Sequence, residues 1–278
     1  MKKSILITGC SSGIGLCAAE TLFKRGYRVF ATARKESDVE RLKAQGLESL
    51  KLDINDSNSI KTALAEILER TGGTLDALFN NAGFVQAGAV EDLSREAMRA
   101  QFETNVFGPI ELITQVIPVM RKQGHGRIIQ NSSMLGEVTI PFVGAYNASK
   151  FALDGFTHTL RQELKRSPIQ VSIIAPGPIT SHLRTNAKQH FNRERIKPDS
   201  AYKAAYKRIE ERYSEQPPSP QEQRLTQPPE AVVKQLIHAL ESKYPKTHYY
   251  TGTSAKVFSL LRRFLSEPML DWILIKLT

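Results

Sequence analysis

Tyr146 and Lys150 stand four residues apart in a stretch, 144–166, whose pattern predicts a helix with Phe151, Phe156, Leu160 and Leu164 along its apolar side. On a helix, positions i and i+4 share a face, so the phenol and the ammonium become neighbours. A free phenol titrates near ~10 and is a poor proton shuttle at neutral pH. A close ammonium favours the phenolate and draws that value down, toward the range a general acid/base needs. Ser133, thirteen residues ahead of the tyrosine, brings a hydroxyl that can polarise a carbonyl, and Ser132 beside it is the rival. The Tyr-x-x-x-Lys spacing also arises by chance in many helices, so its weight depends on what surrounds it.

A second chemical feature lies at the other end of the chain. Thr8-Gly9-x-x-x-Gly13-Ile14-Gly15 falls between an apolar run and a helical pattern. Glycines let the backbone turn tightly and approach a pyrophosphate, which then rests on the amide-rich, positive helix N-terminus. The spacing differs from the commoner G-x-G-x-x-G of dinucleotide folds. A glycine-rich connection chosen for close packing alone is the plain alternative.

The elements that must position these residues alternate along the chain. Strand patterns cover 4–8, 28–32, 49–52, 75–79, 127–130, 170–175 and 248–251. Helical patterns run from the glycine loop to Arg25, through a short segment ending near Gly46, and over 57–70, 95–122, 199–213 and 229–240. Ile60, Leu64, Ile67 and Leu68 mark the buried side of the third helix, and Pro118 is expected to disturb the end of the fourth. This alternation predicts an α/β fold: a doubly wound parallel sheet of Rossmann type with about seven strands, in one domain with an extended C-terminal part. Residues 1–180 form the core with the chemical residues, 181–255 a substrate-side segment and the last helix–strand unit, and 256–278 an amphipathic extension.

Composition sets the outer bounds. The chain has 278 residues, 41% hydrophobic and 24% charged, ordinary for a globular protein with a proper core. Its formal charge of +10 permits anionic partners without establishing one. No nucleic-acid motif accompanies the charge, and nucleic acid is excluded as a partner. Two cysteines, Cys10 and Cys17, imply no disulfide framework, which points to a reducing, cytoplasmic setting. The apolar run after Met1-Lys2-Lys3 breaks at Thr8-Gly9 and reads as a strand rather than a signal peptide. No apolar run reaches the ~18 to 20 residues of a transmembrane helix.

The glycine loop, Asn80-Asn81-Ala82-Gly83, Asn105, Ser133, Tyr146-x-x-x-Lys150 and Pro176-Gly177 follow one another as in the short-chain dehydrogenase/reductase family, which the chain resembles over residues 4–180. Val29-Phe30-Ala31-Thr32-Ala33-Arg34 and Ala148-Ser149-Lys150-Phe151-Ala152-Leu153 resemble its hydroxysteroid and retinol dehydrogenase branch. The resemblance implies a hydride-transferring oxidoreductase with Tyr146 as acid/base. Lys150 tunes the tyrosine and holds the nicotinamide ribose, Ser133 bonds the substrate oxygen, and Asn105 anchors a relay water. It implies cofactor contacts from Gly9, Ser11, Ser12, Gly13, Ile14 and Gly15, from Asn81, Ala82 and Gly83 near the adenosine ribose, and from Asp53 and Ile54 around adenine. Pro176, Gly177, Ile179 and Thr180 would meet the nicotinamide carboxamide and adjoining phosphate. A relative that binds the nucleotide without turnover is the alternative, although such proteins typically lose the tyrosine or lysine. Homodimers or homotetramers are the expected assemblies.

Local charge favours NADP(H) over NAD(H). NAD sites place a carboxylate at the end of the second strand, where it bonds the ribose 2′-hydroxyl. Here that place is Ala33, followed by Arg34 and Lys35, and a guanidinium grips phosphate through paired hydrogen bonds. The alternative is that both cations only solvate a loop that continues with Glu36 and Asp38.

The substrate end carries less signal. Phe84, Val85, Met134, Leu135, Phe142 and Val143 flank the motifs and predict an apolar pocket for a hydrophobic alcohol, aldehyde or ketone. Beyond Thr180 come Arg184, Lys188, Arg193, Arg195, Lys197, Lys203, Lys207, Arg208 and Arg212: a solvated helix face, or a basic mouth for acidic substrates or lipid headgroups. His182 and His190 lack metal-type spacing, and no metal is expected. In the extension, Val257, Phe258, Leu261, Phe264 and Leu265 make one apolar face with Arg262 and Arg263 opposite, before Pro268 and Trp272. It is expected to pack on the core or a second subunit; peripheral contact with a membrane is the other reading.

Overall fold

In the first strand, β1 (Ser4–Ile7), all four residues are buried, with Ile5 and Ile7 facing one layer and Leu6 the other. Side chains alternate along a strand, so a strand dry on both faces belongs to a sheet covered by helices on each side. The computed structural model describes residues 2–181, 187, 191, 197, 199–213 and 220–276. Within them β1, β2 (Arg28–Ala33), β3 (Glu48–Lys51), β4 (Ala77–Asn80), β5 (Gly126–Asn131), β6 (Ile169–Pro176) and β7 (His248–Thr251) form one all-parallel sheet. Its order is β3-β2-β1-β4-β5-β6-β7. This is the doubly wound sheet that the alternating pattern predicts.

The helices are α1 (Gly13–Lys24), α2 (Glu36–Ala44), α3 (Ser57–Thr71), α4 (Arg95–Phe102), α5 (Gly108–Gln123) and α6 (Gly144–Glu163), then α7 (Lys203–Tyr213), α8 (Pro220–Leu225), α9 (Pro229–Glu241), α10 (Thr253–Phe264) and α11 (Glu267–Lys276). Leu22 of α1, Leu42 of α2 and Leu236 of α9 pack on Ile5, Ile7 and Val29. On the opposite face Ile60 and Ile67 of α3 and Leu112 of α5 pack on Leu6, Phe30 and Leu78. Each such side chain, removed from water, contributes about 1.5–3 kcal/mol. From β1 the chain winds outward both ways, to β2 on one side and β4 on the other. That reversal opens a crevice at the carboxyl ends of the two strands, where such sheets bind ligands.

Two expectations need correction. The long helix after β4 is not disturbed at Pro118, which lies inside α5 while Ile113, Val116 and Met120 hold the helix to the sheet. The irregularity comes earlier, as a π turn over Glu103–Phe107 that carries Asn105 inward. The apolar side of α6 is only partly as expected: Leu160 and Leu164 pack on the core, but Phe156 does not. Phe156 is 50% exposed, and the buried side carries Tyr146, Asn147, Ser149, Lys150, Leu153, Asp154 and Thr157.

Candidate active site

Beyond β1, Thr8 and Gly9 turn over the edge of the sheet. Gly9 adopts φ +72°, and a methyl there would lie 2.9 Å from Ala82 Cα. At Gly15 a methyl would lie 2.3 Å from Gly9 O and 2.6 Å from Asn81 Nδ2. The glycines therefore bring three backbone segments together closer than any side chain allows. Asn81 fastens them: its Nδ2 donates to Thr8 O at 2.9 Å and to Gly9 O at 3.2 Å. The Thr8 hydroxyl accepts from the main-chain N–H of Asn81 and of Ala82, at 2.9 and 3.0 Å. α1 begins at Ser12 without a side-chain cap. Its first N–H groups thus keep the positive helix end available to an anion, and Ser11, Ser12, Gly13 and Ile14 are all partly exposed there. The cradle fits a dinucleotide pyrophosphate.

At the end of β2, Cys10 N–H donates to Thr32 O at 2.8 Å, which sets this strand end beside the loop. Ala33 is buried, and Arg34 and Lys35 are exposed directly after it. Sequence reasoning missed Arg41, whose Nη2 donates to Ser11 O at 2.6 Å and pairs with Asp38 at 3.0 Å. Its only signal in the chain is a cation placed two turns into α2. Asp53 accepts from Asn55 N–H at 3.0 Å, and Ile54 is buried with its carbonyl against Gly108.

The reactive side chains come from three elements. Ser133, with extended backbone (φ −161°, ψ 159°), begins a short 3-10 turn over Met134–Gly136. Its hydroxyl accepts from Leu135 N–H at 3.1 Å and stands on the Tyr146 side, near enough to draw the phenol's pKa down. Neighbouring residues on extended backbone point to opposite sides, so Ser132 faces away, toward Asp154 and Gly136. Tyr146 and Lys150 project from α6, with Lys150 Nζ 5.7 Å from the phenol ring centre and donating to Asn131 O at 2.8 Å. Asn105 receives Phe84 N–H on Oδ1 at 3.1 Å, and its Nδ2 donates to Phe84 O at 3.1 Å and to Ser149 Oγ at 3.0 Å. Ser149 in turn donates to Tyr146 O at 2.8 Å, so the π turn is bonded to the helix that carries the tyrosine.

Burial controls the electrostatics. It pushes the Tyr146 phenol up to about 12, against the pull of the Ser133 hydroxyl and with the help of the Asp154 charge. It pushes the Lys150 ammonium down to about 8, a fall that Asp154 resists. The expected lowering of the phenol by Lys150 is not seen: burial dominates, and only the Ser133 hydroxyl pulls it down.

Residues 3–192 match the family described as short chain dehydrogenase. The chain belongs to that family. It is 37% identical over 274 residues to the uncharacterized oxidoreductase YbbO of Escherichia coli K12, covering 99% of this chain and 94% of that one. Human dehydrogenase/reductase SDR family member 9 is 33% identical over 283 residues, with 99% and 88% covered. Rat 17-beta-hydroxysteroid dehydrogenase type 6 is 31% identical over 284 residues, with 98% and 87% covered, which sets the chain near the hydroxysteroid and retinol dehydrogenase branch. Among solved structures, a short-chain dehydrogenase from Streptomyces avermitilis superposes with TM-score 0.78 at 28% identity, over 98% of this chain and 93% of that one. Actinorhodin polyketide ketoreductase with NADPH superposes with TM-score 0.72 at 28% identity, over 90% and 95%.

In this short-chain dehydrogenase the strand end after β6 is clamped. Gly177 N–H donates to Thr251 O and Thr180 N–H to Gln227 O, both at 2.9 Å, and Ile179 pairs with Gln227. Over Tyr146 lies an apolar cluster in which Val85, Leu135, Phe142 and Val143 meet Phe191 and Tyr206. Phe142 is held at φ +63°, a left-handed conformation unusual for a bulky residue. Phe84 is committed through its backbone to Asn105, and Met134 packs instead with Val138 and Phe258. α7 is latched over the cluster by Asp92, which accepts from Ser200 Oγ and Tyr206 OH, each at 2.6 Å. Tyr206 OH also receives Ala89 N–H at 3.0 Å. Lys197 donates to Glu91 O, while Lys203, Lys207 and Arg208 are exposed. Arg184, Lys188, Arg193, Arg195, His182 and His190, and the side chain of Arg212, lie outside the described residues.

Proposed function

We propose that this protein is an NADP(H)-dependent oxidoreductase that interconverts a hydrophobic carbonyl compound and its alcohol. The observation that carries the reading is the meeting of the Ser133 hydroxyl, the Tyr146 phenol and Lys150 beside the glycine cradle. The bound nicotinamide dinucleotide supplies or accepts the hydride. In reduction Ser133 and Tyr146 polarise the carbonyl oxygen, and Tyr146 gives it a proton. Lys150 orients the nicotinamide ribose, and Asn105 anchors the water that returns a proton. Gly9, Ser11, Ser12, Gly13, Ile14 and Gly15 hold the pyrophosphate; Asn81, Ala82 and Gly83 lie along the adenosine ribose, and Asp53 and Ile54 around adenine. Pro176, Gly177, Ile179 and Thr180 hold the carboxamide end. Exposed Arg34, with no carboxylate at the end of β2, favours the 2′-phosphate of NADP(H). The apolar cluster over Tyr146 favours a hydrophobic substrate. A cofactor-oxidation screen with NADPH and with NADH over steroids, retinoids, long-chain aldehydes, quinones and, for contrast, sugars tests the reading. Turnover restricted to polar sugars, or equal use of NADH, counts against it.

The C-terminal helices favour a second element of the reading. Leu270 and Leu274 of α11 bury against Phe258 and Val138, so the extension packs on the core. Outward it shows Leu260, Phe264, Met269, Trp272 (61% exposed) and Ile275, with Arg262 and Lys276 nearby. An apolar face with cations suits the interface of an anionic membrane. Among the described residues no helix is long and apolar enough to cross a membrane. The reading places a homodimer or homotetramer in the cytoplasm, with this face able to rest on lipid. Sedimentation with anionic and neutral vesicles tests the contact; binding to neither removes it.

A further inference from the structure

Asp154 sits on the buried side of α6, one turn beyond Lys150 and two beyond Tyr146, and is 5% exposed. Carboxylates are almost never this buried without a partner. Neither of its oxygens has a hydrogen bond of good geometry among the described residues. Space for it is nonetheless built into the fold. A methyl at Gly136 would stand 2.4 Å from Asp154 Oδ2 and 3.0 Å from Ser132 Oγ, so only glycine leaves room there. Ser132, turned away from the phenol, brings its hydroxyl to the same spot.

We propose that Asp154 is a positioning residue whose negative charge keeps Lys150 and Tyr146 in their protonated forms and thereby sets the alkaline limit of carbonyl reduction. The inference rests on Tyr146 acting as the proton donor. Burial raises the Asp154 carboxyl to about 7, opposed by the Ser132 hydroxyl and the Lys150 charge and assisted by Glu137. Its charge in turn raises both Lys150 and Tyr146. The titratable groups around it are thus Tyr146 and Lys150 on α6 and Glu137 after the 3-10 turn. Beyond Glu137 stand Tyr250, which donates to it at 2.5 Å, His248 at 3.7 Å, and His158 and Arg263. In this dry region the Asp154 charge acts strongly on the other two groups, Lys150 and Tyr146.

The sign is the same along both routes. Reduction needs a protonated phenol and a charged ammonium, and the Asp154 charge favours both. Asp154→Asn removes it, so both protons leave at lower pH. The alkaline limb of kcat/KM for NADPH-dependent reduction should move down by about one pH unit, while the melting temperature reports folding separately. Ser132→Ala, which withdraws a hydroxyl that favours the charged carboxylate, should move the limb in the same direction by less. This second variant decides the matter if Asp154→Asn does not fold. A purely structural Asp154 would lower the height of the profile and leave the limb in place, and an unmoved limb in every variant that folds overturns the proposal. Tyr146→Phe, measured alongside, separates the two failures. If it keeps near-wild-type turnover the acid/base reading itself is wrong, whereas its collapse with unmoved limbs rejects only the role of Asp154.

Discussion

Asn81 Oδ1 accepts a hydrogen bond from Asn131 Nδ2 at 2.9 Å, and this one contact joins the glycine cradle to the strand end that holds Lys150. On one side Asn81 Nδ2 holds Thr8 O and Gly9 O; on the other Asn131 O receives Lys150 Nζ. Asn81→Ala cuts three bonds at once, each worth about 0.5–1.5 kcal/mol. Steady-state kinetics should show kcat/KM falling by roughly ten- to a hundredfold, with weaker cofactor binding. Normal cofactor affinity would mean that the two halves of the site are set independently.

Gly15→Ala should be worse than its size suggests. The added methyl meets Gly9 O at 2.3 Å, and a carbonyl in a packed loop cannot move aside as a side-chain tip can. The expected cost is about 1–3 kcal/mol of stability together with loss of dinucleotide binding, read by thermal melts with and without NADPH.

In the proposed NADP(H) reading, Arg34 meets the 2′-phosphate. Arg34→Asp should shift preference toward NADH, since a charge-assisted phosphate contact is worth about 1.5–3 kcal/mol, or about ten- to a hundredfold in affinity. Unchanged NADPH affinity in titrations would show that this cation only solvates the loop.

The Asp92–Tyr206 bond holds α7 over the apolar cluster beside Tyr146, the proposed substrate side. Tyr206→Phe keeps the ring against Phe142 and Phe191 but removes the bonds to Asp92 and Ala89. KM for apolar substrates should rise by roughly three- to tenfold with a smaller change in kcat. Ser200 and Tyr206 hold the Asp92 carboxyl below its usual range. The contribution is therefore complete above about pH 4 and is lost only as pH falls further. KM that is identical in the variant would leave the latch without a role.

Much of this was legible in the residues because the signals were local. Strand and helix periods, the glycine loop, and the i, i+4 spacing of Tyr146 and Lys150 need no knowledge of distant neighbours, and β7 falls on the expected residues. What escaped was set by contacts far along the chain. Tyr206 meets Ala89 and Asp92 across more than a hundred residues, and Arg41 meets Ser11 across thirty. The π turn around Asn105 and the burial of Asp154 arise from packing against α6 and Gly136, which no periodicity encodes. In the extension the apolar stripe divides: Phe258 and Leu261 pack inward, while Phe264 stays in solvent.

That division makes its own forecast. Leu274, 3% exposed, should cost about 2–4 kcal/mol when replaced by alanine, because a cavity opens beside Phe258. Trp272→Ala should leave the melting temperature within a degree or two and act only on vesicle binding. A large loss of stability from Trp272→Ala would place that face inside an oligomer instead.

The most direct test of the account is hydride transfer by Tyr146→Phe, followed at saturating NADPH with a hydrophobic carbonyl substrate. The ring stays and only the transferable proton is removed, so NADPH should bind as before while turnover falls by about 10²- to 10⁴-fold. Turnover within a few-fold of wild type would contradict the account, since the proton would then come from another group.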